Sequence, residues 1–124
     1  MKNIDIELIK EESFVEEWVT DMFFDISNKI VEIETDGASI EPGVYLSKAL
    51  IKVSKWLSLT GTSFDYETKE TKSIKNIEHV RLSSIVRLII NDNEIKIDGF
   101  AVSLGWVEII LTGAEIEVTG EYKD

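Results

Sequence analysis

Apolar and polar residues alternate along most of this chain, and a period of two is typical of strands with one buried face. In the first predicted strand, Lys2 to Ile9, the side chains of Ile4, Ile6 and Leu8 share one side. Turn signals such as Asn91-Asp92-Asn93 separate similar segments. The further strands are predicted over residues 30–35, 63–68, 94–97, 100–104, 106–111 and 115–119, with Gly99 marking a bulge.

The remaining segments carry weaker patterns. Residues 36–43 hold the only proline and are predicted to form a loop, and the polar residues 69–75 are predicted to form a surface turn. Residues 79–90 are interpreted as a short helix or turn that leads into a strand. The turn signal Ser27-Asn28-Lys29 predicts a hairpin between residues 23–26 and 30–33.

Residues 13–26 fit both a helix and a strand. Ser13 and Glu16 have the spacing of a capping box, and the apolar residues that follow could form one helical stripe. The hairpin signal after residue 26 favours a strand for the second half. We therefore predict a helical turn over residues 13–17 and a strand from about Trp18, with Trp18, Met22 and Phe24 facing the same way.

Residues 44–57 are ambiguous in the same way. Their β-branched residues and the Thr60-Gly61-Thr62 segment beyond them favour a strand over a helix. The complete pattern predicts a mostly β fold, with α+β as the alternative. It would be an antiparallel sandwich or open barrel, formed by residues 1–124 as a single domain with at most one short helix.

Composition limits the chemistry of the chain. A chain of 124 residues with 44% hydrophobic residues is large enough to bury a core. There is no cysteine, which removes disulfides and thiolate metal sites. No apolar run is long enough to span a membrane and no export signal is visible, which favours the cytoplasm. We expect no cofactor, no metal and no membrane contact.

Charge indicates the kind of partner. The chain has 24 acidic and 13 basic residues, a net charge of −11. Residues 1–42 alone hold 12 acidic and 3 basic side chains, or −9. Such a chain is poorly suited to nucleic acid, which is bound through basic surfaces. It suits a basic partner protein, because opposite fields steer association. Solubility alone would also explain an acidic composition.

No catalytic constellation stands out. His79 is the only histidine, and no nucleophile-elbow glycines surround it, so a surface or half-buried position is the simpler interpretation. Asp92 and Asp98 lack the spacing of a calcium loop, and a hairpin turn explains the residues from Asp92 to Glu94. Trp18, Trp56 and Trp106 could form a ligand platform, although core packing is the commoner role of tryptophan. We predict that the protein is not an enzyme.

The acidic N-terminal third supplies the candidate partner-binding residues. On a helix or an exposed strand face they would form one negative patch, or simply a solvated face. Their proposed role is to pair with lysines and arginines of a basic partner. They are Glu11, Glu12, Glu16, Glu17, Asp21 and Asp25.

The order of several segments resembles small β-rich bacterial immunity proteins, which are encoded beside polymorphic or contact-dependent toxins. These segments are residues 18–25 (WVTDMFFD), 29–35 (KIVEIET), 49–59 (ALIKVSKWLSL), 98–100 (DGF) and 105–108 (GWVE). The resemblance implies binding to a cognate toxin domain, for example a basic nuclease, and it brings no catalytic residue. The alternative is a small-ligand or carbohydrate-binding β module that uses exposed tryptophans. An exposed sheet edge also leaves a homodimer open.

Overall fold

The fold consists almost entirely of strands. In the computed structural model, which describes residues 1–124, two short 3-10 helices (Ile6–Leu8 and Ile77–His79) accompany eleven strands. The strands are β1 (Lys2–Ile4), β2 (Glu17–Asp25), β3 (Ile30–Thr35), β4 (Ala38–Glu41), β5 (Val44–Ser54), β6 (Ser58–Asp65), β7 (Glu70–Ser73), β8 (Leu82–Ile90), β9 (Glu94–Ala101), β10 (Gly105–Thr112) and β11 (Glu115–Tyr122).

All eleven strands belong to one open antiparallel sheet. Its order is β1-β11-β5-β3-β2-β8-β9-β10-β6-β7, and β4 pairs with the free part of β5. We call the first five strands of this order half A, which also includes β4: β1, β11, β5, β3, β2 and β4. The other five strands form half B: β8, β9, β10, β6 and β7. The only strand pairing between the two halves consists of Glu17–Ile85 and Trp18–Ser84, between β2 and β8. The mostly β antiparallel class predicted from the sequence is therefore confirmed.

One hydrophobic core serves both halves. Several strands bury alternate residues, for example Val31 and Ile33 on β3 and Val107 and Ile109 on β10. The 24 buried apolar residues of both halves form a single cluster. A sheet of this width can bury one face in one cluster only if it folds over on itself. Each half therefore has an inner face in the core and an outer face in solvent.

Several element boundaries differ from those predicted. The first strand ends at Ile4 and not at Ile9, because the Asp5 carboxylate accepts a hydrogen bond from the Glu7 N–H and begins a 3-10 helix. The predicted turn over residues 69–75 is wrong: β7 lies there and pairs with β6. Its four residues are all exposed, so this edge strand has no apolar alternation to reveal it.

The two ambiguous segments are resolved as strands. Backbone hydrogen bonds of the i to i−3 type fold residues 10–17 into successive turns, and β2 begins at Glu17. The predicted hairpin after β2 is present, with Phe24 opposite Val31. The second segment contains β5, which ends at Ser54, and β6 begins four residues later.

Bulges or register irregularities interrupt four of the strand pairs, and two of them bear on the surfaces described below. On β2, Thr20 is an extra residue between the pairs Val19–Thr35 and Asp21–Glu34. On β8, Val86 is an extra residue between the pairs Ile85–Gly99 and Arg87–Asp98. Gly99 was predicted at a bulge, but the additional residue lies on the neighbouring strand. Residues 94–101 consequently form one strand, β9, where two were predicted.

Close approach of two backbones explains the glycine at position 99. A Cβ atom added there would overlap the carbonyl oxygen of Ser84 and lie 3.2 Å from the Ile85 Cα, so the strands would have to separate.

We expect Gly99→Ala to lower the free energy of unfolding by roughly 2–4 kcal/mol in urea denaturation. Gly43→Ala is the control, because φ is +82° there but a Cβ would meet no atom within 4 Å. Its cost should be about 1 kcal/mol. Equal losses in the two variants would contradict the backbone explanation.

Candidate protein-binding surface

Acidic side chains are concentrated on the outer face of half A. Directly opposed residues of antiparallel strands lie on the same face, so the registers define its rows. One row runs Phe23–Glu32–Lys52–Glu117, the next Asp21–Glu34–Leu50–Thr119, and a third Asp25–Ile30–Ser54–Glu115. We call this surface the acidic face. Its carboxylates belong to Asp21, Asp25, Glu32, Glu34, Glu115, Glu117 and Glu121.

Three lysines partly balance these carboxylates. Lys48 lies opposite Glu121, and its Nζ is 3.7 Å from Glu34 Oε2. Lys52 lies between Glu32 and Glu117, and Lys55 Nζ is 3.3 Å from Glu115 Oε2. Seven carboxylates and three ammonium groups leave a net charge of −4 on the acidic face. Exposed ion pairs of this kind contribute little to stability, so the field remains available to a partner.

The six residues predicted from the sequence do not form one patch. Asp21 and Asp25 lie on the acidic face. Glu11, Glu12 and Glu16 are exposed on the turns before β2. That segment contacts half B. Glu11 O accepts a hydrogen bond from the Leu88 N–H, and Glu11 Oε1 lies 3.8 Å from Arg87 Nη1.

Glu17 is separate from the other five. Its neighbour Val19 pairs with the buried Thr35, so the Glu17 side chain is on the inner side of β2. There it lies beside Asp36, at the edge of a surface cavity of about 300 Å³ that Tyr45 and Lys123 also line.

Sequence reasoning missed five carboxylates of the acidic face, on β3 and β11. A signal for them was present: Glu32 and Glu34, like Glu115 and Glu117, are spaced by two on strands that the sequence predicts. Residues at this spacing share a face. The sequence does not show that β3, β5 and β11 are neighbours in the sheet, because that depends on pairings between segments that are far apart in the chain.

Two large aromatic side chains stand beside these charges. Phe23 lies on the acidic face and is 53% exposed, and Trp18 on the same strand is 63% exposed. The bulge at Thr20 reverses the alternation, so Trp18 points away from the core while Met22 points into it. The predicted shared orientation of these two side chains is therefore wrong. The Thr20 hydroxyl donates to Glu34 Oε1 at 2.9 Å and links the bulge to the acidic face.

The other candidate residues have ordinary positions. Trp56 is buried in the core with 5% exposure, and Trp106 is half-buried on the outer face of half B. His79 is exposed at the end of the second 3-10 helix. No group of three or more histidine, aspartate or glutamate side chains converges as metal ligands would. None of the helical segments is long and apolar enough to cross a membrane.

A charged cluster occupies the middle of the outer face of half B. The Asp98 side chain is 0% exposed, and its Oδ2 accepts hydrogen bonds from Arg87 Nε at 3.1 Å and Nη2 at 2.7 Å. Lys96 Nζ is 3.8 Å from the same oxygen, and Glu108 lies directly across the strand pair. Desolvation is the main reason why the Asp98 pKa is raised, although Arg87 and Lys96 oppose it. Its Oδ1 is buried without a hydrogen-bond partner.

No protein-family model, curated protein sequence or solved structure matches this chain. The candidate surface therefore depends on the geometry and charge of the residues described above.

Removing the guanidinium from this cluster should be costly and pH-dependent. At pH 7, Arg87→Ala leaves a buried carboxylate with only Lys96 nearby, and we expect a loss of roughly 2–3 kcal/mol in unfolding free energy. The loss should shrink in acidic buffer, because a protonated Asp98 no longer needs a cation. Lys72→Ala, which removes an exposed ion pair with Glu70, should cost less than about 1 kcal/mol at every pH. An Arg87→Ala loss that does not change with pH would argue against this electrostatic role.

The Glu17–Asp36 pair should make stability fall as pH rises. Desolvation first, then the hydrogen bond and repulsion with Asp36, raises the pKa of Glu17 from 4.5 to about 7. Between these values the folded state holds a proton that the unfolded state releases, so the carboxylate costs stability increasingly up to pH 7. We expect Glu17→Gln to be more stable than the parent at pH 8 by about 1 kcal/mol, a value reduced for solvent screening, and the advantage to vanish near pH 4.5. The stability of Glu17→Gln is measured by thermal unfolding as a function of pH. Glu12→Gln, on the exposed turn, is the control variant. An equal pH dependence in both variants would contradict the assignment.

Proposed function

We propose that this chain is an immunity protein that binds a basic toxin domain through the acidic face of half A. The observation that carries the proposal is the set of seven carboxylates on one outer face, beside the exposed rings of Phe23 and Trp18. Bound there, the protein would cover the toxin's active site or its access to substrate. No catalytic residue is required of such an inhibitor.

Charge supports the choice of a basic partner. The acidic face has a net charge of −4, and the whole chain has −11. Complementary fields accelerate encounter and disfavour partners of the same sign. Nucleases present basic grooves to their substrates, so a nuclease domain is the kind of toxin that fits this surface best.

The aromatic rings supply what charge alone does not. Exposed ion pairs add specificity more than affinity, whereas buried tryptophan and other aromatic anchors dominate the energy of many interfaces. Trp18 and Phe23 are exposed on the outer side of β2, so a partner can desolvate both rings. Beyond Trp18, no strand pairs with β2 on its second side.

The resemblance to immunity proteins, described from the sequence, supports the proposed biological role. A second candidate, a small-ligand or carbohydrate-binding module, is favoured by the exposure of Trp18 and the partial exposure of Trp106. The two functions differ in the partner, since the module would need no protein at all.

Co-expression tests the role. The probe is the C-terminal domain of the protein encoded by the adjacent open reading frame. We expect that domain to stop growth when expressed alone, and this chain to restore growth and co-purify with it as a stable complex. A harmless neighbour, or rescue without a complex, would contradict the proposal.

Charge reversal on the acidic face should weaken binding to the same domain. We expect Glu32→Lys with Glu117→Lys to raise the Kd at least about tenfold at low salt and to flatten its salt dependence, chiefly through slower association. The control is Glu67→Lys with Glu70→Lys, which makes the same charge change on the β6–β7 hairpin. Trp18→Ala should raise the Kd by about 30-fold or more through faster dissociation. If the control pair weakens binding as much as the acidic-face pair, net charge alone explains the effect, and this result would contradict a binding site on the acidic face.

A further inference from the structure

Aromatic side chains form a continuous row on the outer face of half B. In the register of β9, β10 and β6, Phe100 lies opposite Trp106, and Trp106 lies opposite Phe64. Tyr66 follows just after β6 and contacts Phe64, with ring centroids 4.9 Å apart. The Phe100 and Trp106 centroids are 5.4 Å apart. This row lies on half B and shares no residue with the acidic face, although Ser84 of β8, which lies opposite Phe100, also lies opposite Trp18.

Three of these rings enclose a small recess. Its volume is about 170 Å³, and its walls are Phe64, Tyr66 and Trp106. The Glu108 carboxylate and the hydroxyl-bearing side chains of Thr62 and Thr71 complete the lining. Phe64, Trp106 and Glu108 are half-buried, while Tyr66 is 57% exposed and leaves the recess accessible.

The orientation of the rings determines what could fill this recess. Phe64 and Tyr66, which both line the recess, have ring planes at 89°. Rings at right angles form a corner, which can contact a compact group from two sides. A sugar ring instead stacks on a flat aromatic face, so this corner suits a compact group better than a sugar ring.

The electrostatics of the recess favour a positive group. The faces of aromatic rings carry partial negative charge and attract cations. Glu108 adds a full negative charge, and its nearest cation, Lys96 Nζ, is 3.7 Å from Oε1. That separation is too long for a direct hydrogen bond. Lys96 is also shared with Asp98, so it does not fully neutralise Glu108.

We propose that this recess is a binding site for a substituted ammonium group. The three rings contact the alkyl groups around the nitrogen, and Glu108 balances its charge. The group can be a small quaternary ammonium ion or the side chain of a trimethylated lysine on a polypeptide, since both present alkyl groups around a charged nitrogen to the rings. Because one cation in an open recess is only partly desolvated, we expect an isolated group to bind with a Kd of roughly 1–10 mM.

The test follows the Trp106 indole N–H by NMR, in the whole protein. The signal is assigned as the one lost in Trp106→Phe. Choline is titrated against its neutral analogue of the same shape, 3,3-dimethylbutan-1-ol. We expect choline to shift the Trp106 signal at least fivefold more strongly at equal concentration. Nα-acetyl-lysine methylamide and its ε-trimethyl form, titrated in the same way, show whether a lysine side chain also binds.

Two variants test the wall and the charge separately. Tyr66→Leu keeps an apolar side chain without an aromatic face, and Glu108→Gln keeps the shape without the charge. Each should weaken choline binding at least threefold while the rest of the spectrum stays folded. Tyr45→Leu removes an exposed ring from half A and should leave binding unchanged. Equal shifts with choline and its neutral analogue, or a shift with glucose that matches choline, would overturn the proposal. Unchanged binding in both recess variants would also overturn it.

Discussion

A single core shared by ten of the eleven strands decides where most polar side chains of this protein can go. Each strand except β7 turns one side towards the cluster of 24 buried apolar residues, and what remains faces solvent on one of two outer faces. The acidic face of half A and the aromatic row of half B are consequences of this requirement. Their residues come from distant parts of the chain and meet only because the inner faces of β5, β10 and their neighbours pack together.

The alternation of apolar residues was sufficient to predict the antiparallel β class, the strand at Trp18 and the hairpin after it. It failed where pairing or bulges intervene. Glu17 and Trp18 lie before the bulge at Thr20, so their orientations are the reverse of those that unbroken alternation from Met22 gives. β7 contains no apolar residue, and only its pairing with β6 makes it a strand.

The candidate site was predicted in part for the same reason. Local clustering in the sequence brought Asp21 and Asp25 to attention together with four acidic residues that lie elsewhere. The acidic face depends on lateral neighbours: Glu117 joins Glu32 through Lys52, from three strands that are distant in sequence. A single sequence does not reveal such register. Asp98 shows the same limit, since a position on an outer face gave no sign that Arg87 and its neighbours would cover it.

The seam between the two halves has a consequence for how this architecture could diversify. Only two residue pairs connect β2 with β8, and the two outer faces adjoin there, where Trp18 lies opposite Ser84. Away from this seam, substitutions on one outer face have no strand-paired neighbour on the other, as long as the inner residues are kept. A lineage that must follow a changing opponent could replace the charges and rings of half A repeatedly. Half B could retain an unrelated recognition task on the same scaffold.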